Sequence, residues 1–267
     1  MTVVMEKVTW YIKMISAYAR ASFLSQLMYP LNFFSGFFTE IACLSFKLIY
    51  LVVVIQAQVS VGGFTSSQVM IFIGIYIFMT GIWGMLGWLP IPRNVRSGNL
   101  DLQLIKPGAT MFQLTFSNFN YGGMIPNVVA GIILICFGWS GSDISITLLS
   151  IIGFIFFMIV SIVLTYAISI IPQMLVFWLT SVDGVTSLLP ALWDFNNMPM
   201  TIYSNAVRQV GTFIIPIFLL TNWPGLFILK MLSPVQFLWG IAAPIILVWL
   251  SHIVLQRGLR KYTSANG

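Results

Sequence analysis

Between Lys106 and Asp143 the chain carries no aspartate, glutamate, lysine, arginine or histidine. Over the whole sequence, charged residues make up 7% and hydrophobic residues 59%, whereas about 25% charged residues is usual in soluble domains. A chain with so little charge has too few polar groups to cover its apolar surface in water. We therefore predict an all-α integral membrane protein with a single transmembrane domain.

The lengths of the apolar runs set the number of crossings. A transmembrane helix needs about 20 predominantly apolar residues, so a chain of this size accommodates about six of them with short connections. The predicted spans are residues 31–55, 69–89, 112–137, 146–170, 172–192 and 234–255. The fifth is the weakest because it contains several polar residues, namely Gln173, Thr180, Ser181 and Asp183.

Residues 205–230 form a further apolar stretch, which Pro216 and Pro224 interrupt. Basic residues mark the cytoplasmic side of membrane proteins, and here they cluster before the first span, in residues 90–107 and in the tail. Six spans place all three clusters on one side, whereas a seventh would move the tail to the other. We therefore predict that residues 205–230 form an outer, re-entrant helical hairpin, packed against protein. Both termini are then cytoplasmic, in a multi-pass protein of the cell (inner) membrane.

Residues 1–30 are more polar than the predicted spans. The polar residues Lys13, Ser16 and Arg20 fall on one side of a helix, and apolar residues line another, namely Val8, Ile12, Ile15 and Ala19. This pattern predicts an amphipathic helix that lies in the membrane interface; a simple flanking linker is the alternative. The basic residues are expected to meet anionic lipid headgroups, not nucleic acid.

The sequence lacks the residue patterns that form several kinds of catalytic site. The sequence contains no His-Glu-x-x-His pattern, no close pair of cysteines and no cluster of carboxylates that would hold a metal. No lysine is followed by serine or threonine, so the phosphate-binding loop of Walker-type ATPases is missing. We therefore predict that the chain is not an enzyme, and that any nucleotide it uses is hydrolysed by another chain.

Three sequence segments carry a resemblance to a known family. The first is Arg96-Ser-Gly-Asn-Leu-Asp-Leu-Gln-Leu-Ile-Lys-Pro107, and the others are Met198-Pro-Met-Thr-Ile-Tyr203 and Gly211-Thr-Phe-Ile-Ile-Pro216. Together with the order of predicted spans, they resemble the membrane (permease) subunit of an ATP-binding-cassette exporter of the type-2 permease class. The resemblance covers essentially the whole chain, and its nearest branch has poorly known substrates.

This resemblance implies that two permease chains pair, as a homodimer or a heterodimer, and that each docks a nucleotide-binding ATPase subunit. Residues 90–107 would form the cytoplasmic coupling loop. Its expected contact residues are Arg93, Arg96, Gly98, Asp101, Leu104, Lys106 and Pro107. The chain itself would bind no cofactor, because ATP and Mg²⁺ belong to the partner subunit. The alternative is that the loop's charges only fix topology.

Charged residues inside the predicted spans are a second group of candidates. Glu40 and Lys47 are seven residues apart and share a helical face, and Asp183 lies in the fifth predicted span. A charge at the bilayer centre costs at least about 2.5 kcal/mol, so lipid-facing positions are unfavourable. These three residues are expected to line the substrate path or the seam between two permeases. They could instead be structural, paired with neighbouring helices, snorkelling or marking a bend.

We therefore expect an ATP-driven transporter subunit that exports an amphipathic compound, a lipid-linked molecule or a glycan. A stand-alone channel or a proton-coupled transporter is the alternative, which would need a relay of ionisable groups through the membrane. A membrane-anchored assembly or receptor protein is a third interpretation.

Overall fold

The computed structural model describes residues 2–57, 60–86, 91–105, 109–116, 119–179 and 181–262. Within these ranges the chain is helical, and its only β-type pairing is an isolated bridge between Val61 and Phe64. The α-helices are α1 (Thr2–Met28), α2 (Pro30–Ala57), α3 (Ser66–Leu86), α4 (Ile91–Arg96), α5 (Asn99–Leu104), α6 (Thr110–Phe116), α7 (Tyr121–Ser140), α8 (Leu148–Met174), α9 (Asp183–Thr186), α10 (Leu188–Asp194), α11 (Asn205–Gln209), α12 (Asn222–Ile228) and α13 (Pro234–Lys261). The irregular helices are the 3₁₀ turns Leu175–Phe177, Met200–Ile202 and Phe218–Leu220 and the π-helix Val210–Ile214.

Five helices in the described residues are long and apolar enough to cross a membrane. They are Pro30–Ala57, Ser66–Met85, Tyr121–Ser140, Leu148–Phe177 and Pro234–Lys261. All five correspond to predicted spans, and the prediction of an all-α protein is confirmed for the described residues. The prediction of six continuous spans is not confirmed, because the described residues of 172–192 contain the end of α8 followed by short helices.

The third span begins later than the predicted residue 112. Its apolar run is divided between α6 and α7, because the Asn120 side chain accepts a hydrogen bond from the Gly123 amide and caps the start of α7. Asparagine is favoured at this position because its oxygen satisfies an amide that has no partner within the helix.

Helices α3 and α7 run antiparallel, and their backbones come close together. Glycines on both helices allow this approach, because a Cβ added at Gly131 would lie 2.6 Å from the Phe78 backbone nitrogen. One at Gly81 would lie 2.9 Å from the Met124 carbonyl oxygen. Small residues at such contacts let helix backbones meet directly, as is common in membrane proteins.

Helices α8 and α13 run parallel, so the chain between them must return from one end of the fold to the other. At their last turns, a Cβ added at Gly258 would lie 2.3 Å from the Phe177 ring. Near their first turns, the rings of Phe157 and Phe237 are 5.5 Å apart. We call the end with Phe177 and Gly258 the loop face, because α4 and α5 pack there, and the other end the opposite face.

The return from the loop face consists of short helices. Midway, the indole nitrogen of Trp193 donates to the Thr80 hydroxyl at 3.2 Å. At the opposite face, the Met200 amide donates to the Asn222 side chain at 2.7 Å. A continuous helix fails here because hydroxyl and carboxyl groups bond to the local backbone; the Asp183 amide, for example, donates to the Ser181 hydroxyl. The fifth predicted crossing is thus a broken segment.

The predicted hairpin at residues 205–230 is a series of short helices rather than two regular ones. Its second half is deeply buried, and Trp223 donates from its indole nitrogen to the Gln236 carbonyl at 2.9 Å. This contact fixes α12 against the first turns of α13. Whether the segment is re-entrant in a membrane stays a prediction.

Helix α1 is continuous over 27 residues and ends just before Pro30. It packs along α6 and the start of α7, where the Tyr121 hydroxyl donates to the Ala19 carbonyl at 3.0 Å. The Tyr18 hydroxyl also donates to the Gln113 side chain. These contacts place α1 at the loop face; its interfacial position on a membrane remains a prediction.

Candidate functional site

A short helix pair, α4 and α5, lies at the loop face. The two helices are joined at Gly98, which has φ +72°, a left-handed conformation that glycine adopts without steric cost. The Ser97 amide donates to the Arg93 carbonyl at 3.0 Å and closes the last turn of α4. Glycine at position 98 therefore permits the tight turn between α4 and α5.

One side of this pair is anchored in the protein interior. Ile91 and Leu100 are completely buried, in an apolar cluster that also contains Ile170, Met174 and Leu255. These neighbours belong to the last turns of α8 and α13. The helix pair is therefore packed directly on the ends of two long helices.

The other side of the pair is exposed, and it mixes basic and apolar residues. Arg93 and Arg96 are exposed, while Leu102 is 58% exposed and Ile105 is 79% exposed. Leu104 is also exposed and Asp101 is half-buried. A contiguous patch of exposed apolar side chains marks a surface that contacts another protein, a ligand or a membrane. We call Leu102, Leu104 and Ile105 the apolar patch. Two further predicted residues, Lys106 and Pro107, lie outside the described residues.

Arg96 forms an ion pair with Asp183, the first residue of α9, with an N–O distance of 3.4 Å. The Ser181 hydroxyl also donates to the Asp183 carboxylate, at 2.8 Å. The Asp183 side chain is 73% exposed and lies at the loop face, so the structure does not bring it together with Glu40 and Lys47. The three residues were grouped because each is charged and lies in a predicted span, and the end of α8 before residue 183 was not predicted.

Tyr262, just beyond α13, faces α5. Burial and the neighbouring Asp101 carboxylate raise the pKa of Tyr262 above the ordinary tyrosine value of 10. Both effects disfavour the phenolate, the first by desolvation and the second by charge repulsion. The end of α13 therefore contacts the helix pair through an electrostatic interaction as well as through apolar packing.

Glu40 and Lys47 lie on the inward side of α2. The residues of this helix that are buried are Leu44, Leu51 and Val54, which continue the same three- and four-residue spacing. The Asn127 side-chain amide donates to the Glu40 carboxylate at 2.7 Å. The prediction that these charges share a face is confirmed, and Glu40 is paired with a neighbouring helix.

Lys47 extends the row of polar contacts that begins at Glu40 toward α10, and we call Glu40, Lys47 and Asp194 the polar line. Its ammonium lies 4.7 Å from the centre of the Tyr76 ring, a cation–π contact, and the Tyr76 hydroxyl donates to the Asp194 carboxylate at 3.4 Å. Asp194 was not predicted as a site residue, because it follows the predicted fifth span. Asn127 was not predicted either, although an amide in an otherwise apolar span was a usable signal.

Metal-binding residues are not grouped in the described ranges, where no three side chains of histidine, cysteine, aspartate or glutamate come together. Residues 41–266 match the model of a protein family described as ABC-2 family transporter protein. Comparisons with curated proteins and with solved structures find no match.

Proposed function

The chain belongs to the ABC-2 family of transporter proteins, and on this premise we propose that it is the permease subunit of an ATP-driven exporter. Its apolar helices make it a multi-pass membrane protein. We propose that the loop face is cytoplasmic and that a separate subunit docks there, binds ATP and Mg²⁺ and hydrolyses the nucleotide. The observation that carries this proposal is the helix pair α4–α5, which is anchored on α8 and α13 and exposes the apolar patch beside arginines.

The composition of the exposed side fits a soluble protein partner. Apolar side chains supply buried area on docking, and arginine is enriched at protein interfaces because its guanidinium both stacks and donates several hydrogen bonds. Arg93, Arg96 and Asp101, with Gly98 as the turn, are the proposed coupling residues, together with Leu104. Lys106 and Pro107 are proposed from sequence alone.

Coupling would pass from the helix pair to the broken segment that returns across the fold. Arg96 holds Asp183 at the start of α9, and the segment leads to Trp193, which stacks on Trp83 with ring centres 5.4 Å apart. Short helices separated by turns can change their relative orientation at lower cost than one continuous helix. We propose that this segment moves when the ATPase subunit changes shape.

An apolar cavity supports a cargo with a large apolar part. It has a volume of about 290 Å³ and lies between the broken segment and the hairpin. Its lining includes Leu192, Phe195, Val207, Val210 and Ile215. The polar line of Glu40, Lys47 and Asp194 would meet the headgroup of an amphipathic compound, a lipid-linked molecule or a glycan. A second permease chain is the proposed partner of α2, whose outer surface is largely exposed in the single chain.

The proposal is tested by purifying the tagged chain in mild detergent and identifying retained proteins by mass spectrometry. We expect a nucleotide-binding ATPase subunit to be retained. Leu102→Glu and Ile105→Glu should each reduce its recovery about tenfold or more, as for a central interface residue. The matched control is Ile146→Glu, which places the same charge at a residue that is 60% exposed at the opposite face, and which should not change recovery.

A chain that purifies without any ATPase would contradict the proposal and favour a channel or a proton-coupled transporter. Loss of the ATPase in the Ile146→Glu control would also contradict it, because the docking surface would then not lie at the loop face.

Charge reversal tests the Arg96–Asp183 contact separately. Each single change, Arg96→Asp or Asp183→Arg, should lower ATP hydrolysis by the reconstituted complex, and the double reversal should restore it. Because both side chains are well exposed, the effect on stability should stay below about 1 kcal/mol. A double variant as impaired as the singles would show that Arg96 acts by contacting the ATPase subunit and not through Asp183.

A further inference from the structure

A groove of about 280 Å³ lies at the opposite face, where the start of α8, the end of α12 and the start of α13 meet. Most of its wall is apolar, formed by Leu149, Phe227, Ile228, Leu232 and Phe237. Lys230 stands at its rim and is exposed. An apolar groove with one cation at its edge has the chemistry to hold an anionic amphiphile.

Lys230 adopts an unfavourable backbone conformation. Its φ is +55°, and it is the only residue other than glycine with positive φ in the described part of the chain. It occupies the position after the C-cap of α12, where its amide donates to Phe227 and the Met231 amide donates to Leu226. Glycine is the usual residue there, and a side chain in the left-handed region costs about 1–2 kcal/mol.

The charge of Lys230 is not neutralised by the described residues, none of which forms an ion pair with it. Two of the groove's hydroxyl groups are engaged in local hydrogen bonds: the Ser150 amide donates to the Thr147 hydroxyl, and the Ser150 hydroxyl donates to the Thr147 carbonyl. These bonds cap α8. The Lys230 ammonium is the charged group that the lining residues of this groove offer to a ligand.

The position of the groove matches a headgroup layer. Helix α8 has 27 residues, so its first turn lies about 40 Å from its last turn at the loop face. This distance is close to the full thickness of a bilayer with its headgroups, about 40–45 Å. Lys230 is thus at the level where lipid headgroups of the far leaflet lie, with the groove extending toward their acyl chains.

We propose that this groove binds a membrane phospholipid with an anionic headgroup. The phosphate would pair with the Lys230 ammonium, and one acyl chain would lie against Leu149, Phe227 and Phe237. A basic side chain close to an anionic membrane surface contributes a few-fold to binding, and the groove adds apolar contact that a lone surface lysine lacks. This inference does not depend on the identity of the ATPase partner or of the cargo.

The test measures lipids retained by the purified full chain in native mass spectrometry, after exchange into micelles with phosphatidylglycerol or phosphatidylcholine. We expect preferential retention of phosphatidylglycerol. Lys230→Gly should reduce that preference about fivefold, and Lys230→Arg should keep it. Because glycine relieves the left-handed strain, Lys230→Gly should melt at an unchanged or higher temperature, so a loss of lipid cannot be attributed to unfolding.

A control removes a different positive charge. Arg208→Gln changes a basic residue of α11 whose side chain donates to Asn205 and does not line the groove, so lipid retention should be unchanged. Equal loss in Arg208→Gln and Lys230→Gly would overturn the proposal, because the effect would then come from net charge. Unchanged phosphatidylglycerol retention in Lys230→Gly would overturn it as well.

Discussion

Alanine at Gly131 should separate helices α3 and α7. The added Cβ would lie 2.6 Å from the Phe78 backbone nitrogen and 2.7 Å from its Cα, whereas non-bonded carbon atoms prefer about 3.5–4.0 Å. Because the atoms in conflict belong to the backbone, no side-chain rotation relieves them. Helices α3 and α7 must then part by nearly 1 Å.

The size of the effect follows from two opposing terms. Overpacking of a close interface costs about 1–3 kcal/mol, and alanine regains up to about 1 kcal/mol through its higher helix propensity. A net loss of about 1–2 kcal/mol corresponds to a melting temperature lower by about 2–8 °C in a chain of this size. The gain in helix propensity alone would instead raise the melting temperature.

Gly84 in α3 provides the matched control, because a Cβ added there meets nothing within 4 Å. Both variants are purified in the same detergent and melted at one heating rate while tryptophan fluorescence is followed, since unfolding of such proteins is often irreversible. We expect Gly84→Ala to melt at or slightly above the wild-type temperature. If Gly131→Ala melts no lower than Gly84→Ala, the direct backbone contact between α3 and α7 is wrong.

Two further outcomes can be checked by melting experiments. Asn127→Leu should destabilise the protein by about 1–3 kcal/mol, because it leaves the Glu40 carboxylate without its amide partner. The double variant Glu40→Leu/Asn127→Leu should be less destabilised than Asn127→Leu alone. An equal loss of stability in these two variants would contradict the pairing of Glu40 with Asn127. Stability should also fall as the pH rises above 10, because the raised pKa of Tyr262 means that the unfolded chain loses this proton first. The stability of the Tyr262→Phe variant should fall less steeply over the same pH range. Identical slopes of stability against pH in the variant and the wild type would exclude a contribution from Tyr262.

Hydropathy and charge were sufficient to predict the long helices, because each feature is local in the sequence. The five spans follow from uninterrupted apolar runs, and the turn at Gly98 follows from glycine's access to positive φ. The shared face of Glu40 and Lys47 follows from helical periodicity alone. These parts of the fold needed no knowledge of which helices are neighbours.

Contacts between distant residues were not predictable in the same way. Asp183 was expected inside the membrane because its surroundings are apolar on average, whereas local hydrogen bonds of Ser181 and its neighbours end the helix and leave Asp183 beside Arg96. The pairing of Glu40 with Asn127 spans 87 residues, and the Tyr76–Asp194 contact spans 118. Such pairs depend on helix packing, which hydropathy does not encode.

The central claim is that an ATPase subunit docks on the exposed side of α4–α5. It is tested most directly by incorporating a photo-crosslinking amino acid at Leu102 and, in a separate variant, at Ile146, followed by irradiation of native membranes. If the loop face is the docking surface, position 102 will crosslink to a nucleotide-binding subunit and position 146 will not. No such crosslink at position 102, or equal crosslinking at both positions, would contradict the claim.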